Sequence, residues 1–132
     1  MSITVTRDLS QPMRQVVRLR NPEFAVDGGP AEGGGDAGPD LHDLYDAAIS
    51  ACKALTLVGY AGRKEIPLTD VRTVTEGDNS EERKRVYRLH TVLHLSAHLR
   101  EDQRHDLLAV AEKCPVHKLM TTVTTHTTTS LA

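Results

Sequence analysis

Tryptophan is absent from this 132-residue chain, and one phenylalanine and three tyrosines are its whole aromatic complement. Large rings usually dominate a core, so any core here must be built from Leu, Val, Ile and Ala. Charge of one sign is missing too: sixteen Lys and Arg face eighteen Asp and Glu, with no block standing apart as a tail or stripe. No nucleic-acid partner is expected, since that would need a basic patch. Residues 1–15 carry Arg7, Asp8 and Arg14 without an apolar centre. Neither a secretion signal nor a membrane span is expected, and the chain reads as cytoplasmic. This length predicts one domain, residues 1–132, with a modest core.

Cysteine is scarce as well: only Cys52 and Cys114 occur. They lack the CxxC spacing and second ligand pair of structural zinc sites, so no metal and no other cofactor is expected. The cytosol keeps thiols reduced, which leaves two readings: two inert buried thiols, or a transient redox pair.

Residues 14–20 and 23–26 read as short strands around the turn-favouring Asn21-Pro22. Residues 27–40, DGGPAEGGGDAGPD, hold six of the nine glycines and two of the six prolines; a mobile loop with no regular element is expected. Its Gly33, Gly35 and Gly38 match G-x-G-x-x-G, but no strand feeds directly into them, and the position of the ribose-binding acid falls inside the next helix. That helix, residues 41–62, can be capped by Asp40 and carries Ala47, Ala48, Ile49, Ala51, Cys52, Ala54, Leu55, Leu57 and Val58 on nearly every face. At about 1.5 Å per residue it spans roughly 33 Å. A chain this short would struggle to cover such a helix alone, which predicts a homodimer.

A strand is expected over residues 68–76, then a charged connection over 77–85. From 85 to 99 the alternation is clean: Tyr87, Leu89, Thr91, Leu93, Leu95, Ala97 and Leu99 share one face, with Arg88, His90, His94, Ser96 and His98 on the other. On a strand His90, His94 and His98 lie about 13 Å apart in succession and cannot share one metal ion. Residues 101–113 return to helical spacing until Pro115 breaks it. The threonine-rich residues 120–131 suit an edge strand. The fold class is α+β.

The sharpest local signal is Lys113-Cys114-Pro115-Val116-His117-Lys118. Pro115 can open a helix with Cys114 as its cap, where free amides, Lys113, His117 and Lys118 would favour a thiolate. Cys52 sits among apolar neighbours and needs a cation from elsewhere; Lys53 points off the same face, and Arg14, Arg18 and Arg20 lie on the first hairpin.

Four segments, AGPD before the long helix, AAISACKALTLVGYAGRKEIPL, REDQRHDLLAVAEKC, and CPVHKLM with its expected terminal strand, span residues 36–131. In this order, and with the cysteines 62 positions apart, the chain resembles the OsmC (osmotically inducible protein C) and organic hydroperoxide resistance family, nearer its OsmC-like branch. The resemblance implies an OsmC-like fold: an intertwined homodimer with the cysteine helix at its centre, packed on antiparallel sheets, and active sites at the subunit interface. It also implies a thiol peroxidase of organic hydroperoxides, in which Cys52 attacks, Cys114 resolves, and an unidentified dithiol reductant recycles the disulfide. Where peroxidase members have a glutamate ten residues before the first cysteine, this chain has His42, with Asp43 next. The arginine that polarises the thiolate comes from the N-terminal part in the family, which makes Arg18 and Arg20 candidates. The alternatives are a dimeric binding module for an apolar ligand, with cysteines used for packing, and a stress-linked structural dimer.

Overall fold

The computed structural model describes residues 2–20, 22–96 and 98–132, and their contacts group into two compact units, Met1–Tyr45 and Asp46–Ala132. The elements are mixed α+β with antiparallel sheets, as expected.

In the first unit, strands β1 (Ile3–Arg7), β2 (Gln15–Leu19) and β3 (Glu23–Val26) form an antiparallel sheet in that order. Val17 is the buried residue of β2, opposite Val5 on one side and Phe24 on the other. The β2–β3 hairpin agrees with the sequence; of its expected turn dipeptide, Asn21 lies outside the described residues. Strand β1 was not foreseen. Its ITVTR alternates β-branched residues, which favour a strand, but every residue is exposed, so no buried face marks it in the pattern.

The expectation of a mobile loop over residues 27–40 is corrected by its hydrogen bonding. Asp27 is 4% exposed. Its carboxylate accepts the amides of Gly28, Gly35 and Ala37, while its own N–H donates to the Pro39 carbonyl. Arg14 Nε lies 3.8 Å from the same carboxylate. A glycine-rich chain leaves amides that no ladder pairs, and one buried carboxylate gathers them. Pro30–Glu32 even forms a short 3-10 turn.

Helix α1 (Leu41–Arg63) begins as expected at Asp40. Asp43 N–H donates to Asp40 Oδ1 at 2.9 Å, and Asp40 N–H donates to Asp43 Oδ2 at 3.0 Å, a reciprocal cap. Within one chain α1 is buried along a single stripe, Ile49, Lys53, Leu57 and Ala61, spaced one turn apart. Burial on nearly every face is therefore not met within the chain: Leu55 is 74% and Val58 55% exposed.

The second unit adds a hairpin of β4 (Val71–Asp78) and β5 (Arg88–Leu95), paired from Val71↔Leu95 to Asp78↔Arg88, then α2 (Glu101–Ala111) and α3 (Pro115–Thr121). Strand β4 starts later than its composition suggests because Ser96 Oγ takes the amides of Thr69 and Asp70, both at 3.0 Å, outside the ladder. Strand β5 keeps the predicted alternation but stops at Leu95. His98 follows in a turn, 3.1 Å from the Pro67 carbonyl, and Ala97 lies outside the described residues.

The terminal edge strand expected over residues 120–131 does not form. Met120 and Thr121 belong to α3. Thr121 and Thr122 hydroxyls donate to the carbonyls of His117 and Lys118, one turn back. Threonine used this way serves the helix end rather than a ladder.

The core gathers Leu57 and Ala61 of α1, Leu99, and Leu107 and Ala111 of α2, with Leu93 and Leu95 of β5 against them. Leu57 and Leu107 are fully buried, worth about 2 kcal/mol each. Polar clamps fix α1 in this unit: Ser50 Oγ to Thr73 Oγ1 at 2.9 Å, Tyr60 to Asp106 at 2.8 Å, and Tyr87 to Asp46 at 2.7 Å. Gly77 lies beside the last, and a methyl group there would overlap both the Tyr87 hydroxyl and the Asp46 carboxylate. Gly77→Ala is expected to destabilise the fold by about 1–3 kcal/mol in urea unfolding, and an unchanged midpoint would contradict this packing. No helix among the described residues is long and apolar enough to cross a membrane.

Candidate active site

Two local signals meet in the second unit. Helix α2 ends at Ala111, and the backbone turns extended at Cys114 (φ −63°, ψ 149°) before Pro115 opens α3. Proline suits this first position because its missing N–H would be unpaired anyway. The next two amides need acceptors, and both find sulfur. Val116 N–H donates to Cys52 Sγ and His117 N–H to Cys114 Sγ, each at 3.4 Å. Cys114 is thus the cap that the sequence predicts, and α1 delivers Cys52 to the neighbouring amide. The cysteines are both free thiols.

Their environments differ. Cys114 is fully buried, and burial pushes its thiol pKa up; the His117 amide opposes this, the neighbouring Cys52 thiol adds to it, and the positive charge of Lys53 pulls it down. The expectation that cap geometry makes Cys114 the readily ionised thiol is corrected: desolvation outweighs the amide. Cys52, expected to be enclosed by apolar neighbours, is only partly buried. It is the less enclosed residue of the pair.

Lys53 packs beside this site. It is 5% exposed, on the buried stripe of α1. Its Nζ donates to the Ala111 carbonyl at 2.9 Å and lies 3.1 Å from His117 Nδ1. Glu112 Oε2 stands 3.6 Å from the same nitrogen. Nδ1 cannot accept from the ammonium and also donate to the carboxylate. The shorter, more buried contact assigns the ring proton to Nε2 and leaves Nδ1 as the acceptor of Lys53. Sequence reasoning mentioned Lys53 but gave it no role. The available signal was its register, one turn from both Ile49 and Leu57, where a charge falls on the buried face.

Of the residues singled out from sequence, the structure brings Cys52 and Cys114 together. Lys113 and Lys118, expected to help, are exposed. Asp43 gives its carboxylate to the start of α1, where His42 also sits. Arg18 pairs with Glu23 at 2.8 Å on the first-unit sheet. Arg18 and Arg20, with Ser2 and Thr4, line an open cavity of that unit. His90 and His94 lie on the exposed face of β5. Among the described residues no group of three His, Cys, Asp or Glu side chains could hold a metal ion. What remains is a partly buried cysteine beside a fully buried one, an arrangement able to form a disulfide after one sulfur is oxidised.

Comparison with curated proteins finds no match. Among solved structures, the chain is similar to the OsmC-like protein from Mycoplasma pneumoniae (TM-score 0.72, 18% identity, covering 92% of this chain and 87% of that one). It is also similar to the organic hydroperoxide resistance protein OsmC from Legionella pneumophila (0.69, 18%, 92% and 88%). The organic hydroperoxide resistance protein OhrB of Bacillus subtilis is similar as well (0.61, 17%, 92% and 90%). At such identities these structures establish the fold. The OsmC family, described as OsmC-like protein, matches residues 33–129. With most of its length matched and its fold shared with these structures, the chain belongs to the OsmC-like protein family.

Proposed function

We propose that this protein reduces organic hydroperoxides with its two cysteines. The observation that carries the reading is the convergence of both sulfurs on consecutive amides at the start of α3. The Cys52 thiolate attacks the terminal oxygen of the hydroperoxide, an S–O bond forms as the O–O bond breaks, and the alkoxide takes a proton to leave as alcohol. Cys114 then condenses with the Cys52 sulfenic acid, giving a disulfide and one water. A dithiol reductant returns both sulfurs to thiols by exchange. Exposure separates the roles, since Cys52 is partly accessible and Cys114 fully buried.

Ala48 and Leu55 flank Cys52 one turn away on each side and are exposed in the single chain. They favour an alkyl tail over hydrogen peroxide. The apolar remainder of α1, exposed at Leu55 and Val58, supports a homodimer that covers it. The apolar-ligand module is less well supported, because the sulfurs accept amide hydrogen bonds instead of serving only as packing. Free-thiol titration tests the choice: one equivalent of t-butyl or cumene hydroperoxide is expected to consume both thiols of a chain, faster than hydrogen peroxide does. Undiminished thiols with every hydroperoxide would overturn the peroxidase and favour the module.

A further inference from the structure

Lys53 has no part in the mechanism above, and its setting is unusual. An ammonium group removed from water needs an anion or a full set of acceptors. Among the described residues no carboxylate pairs with Lys53. It has two neutral acceptors, the Ala111 carbonyl and His117 Nδ1, and an ammonium has three N–H bonds. Both acceptors flank Cys114: Ala111 closes α2 just before it, and His117 is the residue whose amide its sulfur accepts. The charged and titratable groups around this point are Cys52 and Lys53 on α1, Glu112 after α2, and Cys114 and His117 at the start of α3.

We propose that Lys53 is the resident cation of the thiol pair, anchored by Ala111 and positioned by His117, and that it supplies the positive charge against which Cys114 reacts as a thiolate in the disulfide-forming step. The inference rests on the peroxidase reading for that step. Cys114 gives up its proton, its sulfur bonds to the Cys52 sulfenic sulfur, the S–OH bond breaks, and the departing hydroxide takes up a proton as water. Burial alone would keep Cys114 a thiol, and the pull of Lys53 acts against that burial. His117 acts through Lys53 and is a positioning residue.

Two measurements on the full-length protein test this. The first, made without peroxide, is the ultraviolet absorbance of thiolate against pH. Lys53→Gln, which keeps hydrogen bonding but removes the charge, is expected to raise the upper thiol midpoint by about one pH unit, tenfold in thiolate on the rising limb. Lys53→Arg is expected to stay close to the parent. His117→Leu, which cannot accept from Lys53, should shift the midpoint in the same direction by less, and His117→Gln should restore it. The second measurement is the lifetime of the Cys52 sulfenic acid after one equivalent of t-butyl hydroperoxide, trapped by dimedone, expected to lengthen about tenfold in Lys53→Gln in step with the lost thiolate. Parent-like titration and parent-like lifetime in Lys53→Gln would overturn the proposal. If Lys53→Gln does not fold, an unchanged titration in His117→Leu overturns it instead. A parent protein that forms no sulfenic acid removes the peroxidase reading, whereas the titration still decides whether Lys53 is the cation of the pair.

Discussion

Cys52→Ser is expected to lower peroxide consumption by at least about a thousandfold, because a serine hydroxyl at neutral pH is a far weaker nucleophile than a thiolate. Cys114→Ser is expected to behave differently. Its Cys52 can still attack once, releasing one alcohol per chain, and then stops as a sulfenic acid with no partner to condense with. Product alcohol counted per chain, together with intact mass, separates the two: no burst in the first variant, one burst and one added oxygen in the second. The contrast follows from access. Cys52 is partly open while Cys114 is fully enclosed, so exchanging their roles would require a peroxide to enter the packed core. A Cys52→Ser protein as active as the parent would remove the assignment, and a Cys114→Ser protein with sustained turnover would show that an external thiol resolves the sulfenic acid.

Leu55→Glu is expected to break the dimer, with the second-largest effect. The parent should sediment at twice the 14.5 kDa chain mass at micromolar concentration. Ala47, Ala48, Ala51, Leu55 and Val58 leave an apolar side of α1 uncovered in one chain, and a second copy that covers it turns Leu55 into a central contact. A carboxylate placed there without a partner costs roughly 3 kcal/mol or more, over a hundredfold in Kd. Monomer in Leu55→Glu and dimer in the parent is the expected pair of results. A monomeric parent would end the dimer reading whatever the variant does. Because Leu55 also flanks Cys52, the variant's thiol reactivity should be read alongside its mass.

The parts of the molecule legible in the sequence are those decided within a few residues. Cys114 caps α3 because Pro115 needs no acceptor and the third helical amide falls under the side chain three residues before it. Asp40 starts α1 by the same short-range rule. The alternation of β5 survives almost unchanged because period two is a property of the strand itself. Strand β1 escaped notice because exposure on both faces removes the apolar contrast that such a reading depends on.

What the tertiary structure alone decided are the distant meetings. The separation of 62 positions between Cys52 and Cys114 admits many arrangements, and only the packing of α1 against the α2–α3 turn places both sulfurs on neighbouring amides. The ionisation of Cys114 also depends on that packing: the cap favours its thiolate locally, and burial opposes it. Lys53 makes its contacts with residues 58 and 64 positions away, beyond any helical or strand period. Asp27 becomes a hub only when the loop folds back to bring Gly35 and Ala37 to it. Local geometry thus wrote the elements and their caps into the sequence, whereas charge, burial and reactivity at the thiol pair follow from desolvation and long-range contact, which a linear pattern does not contain.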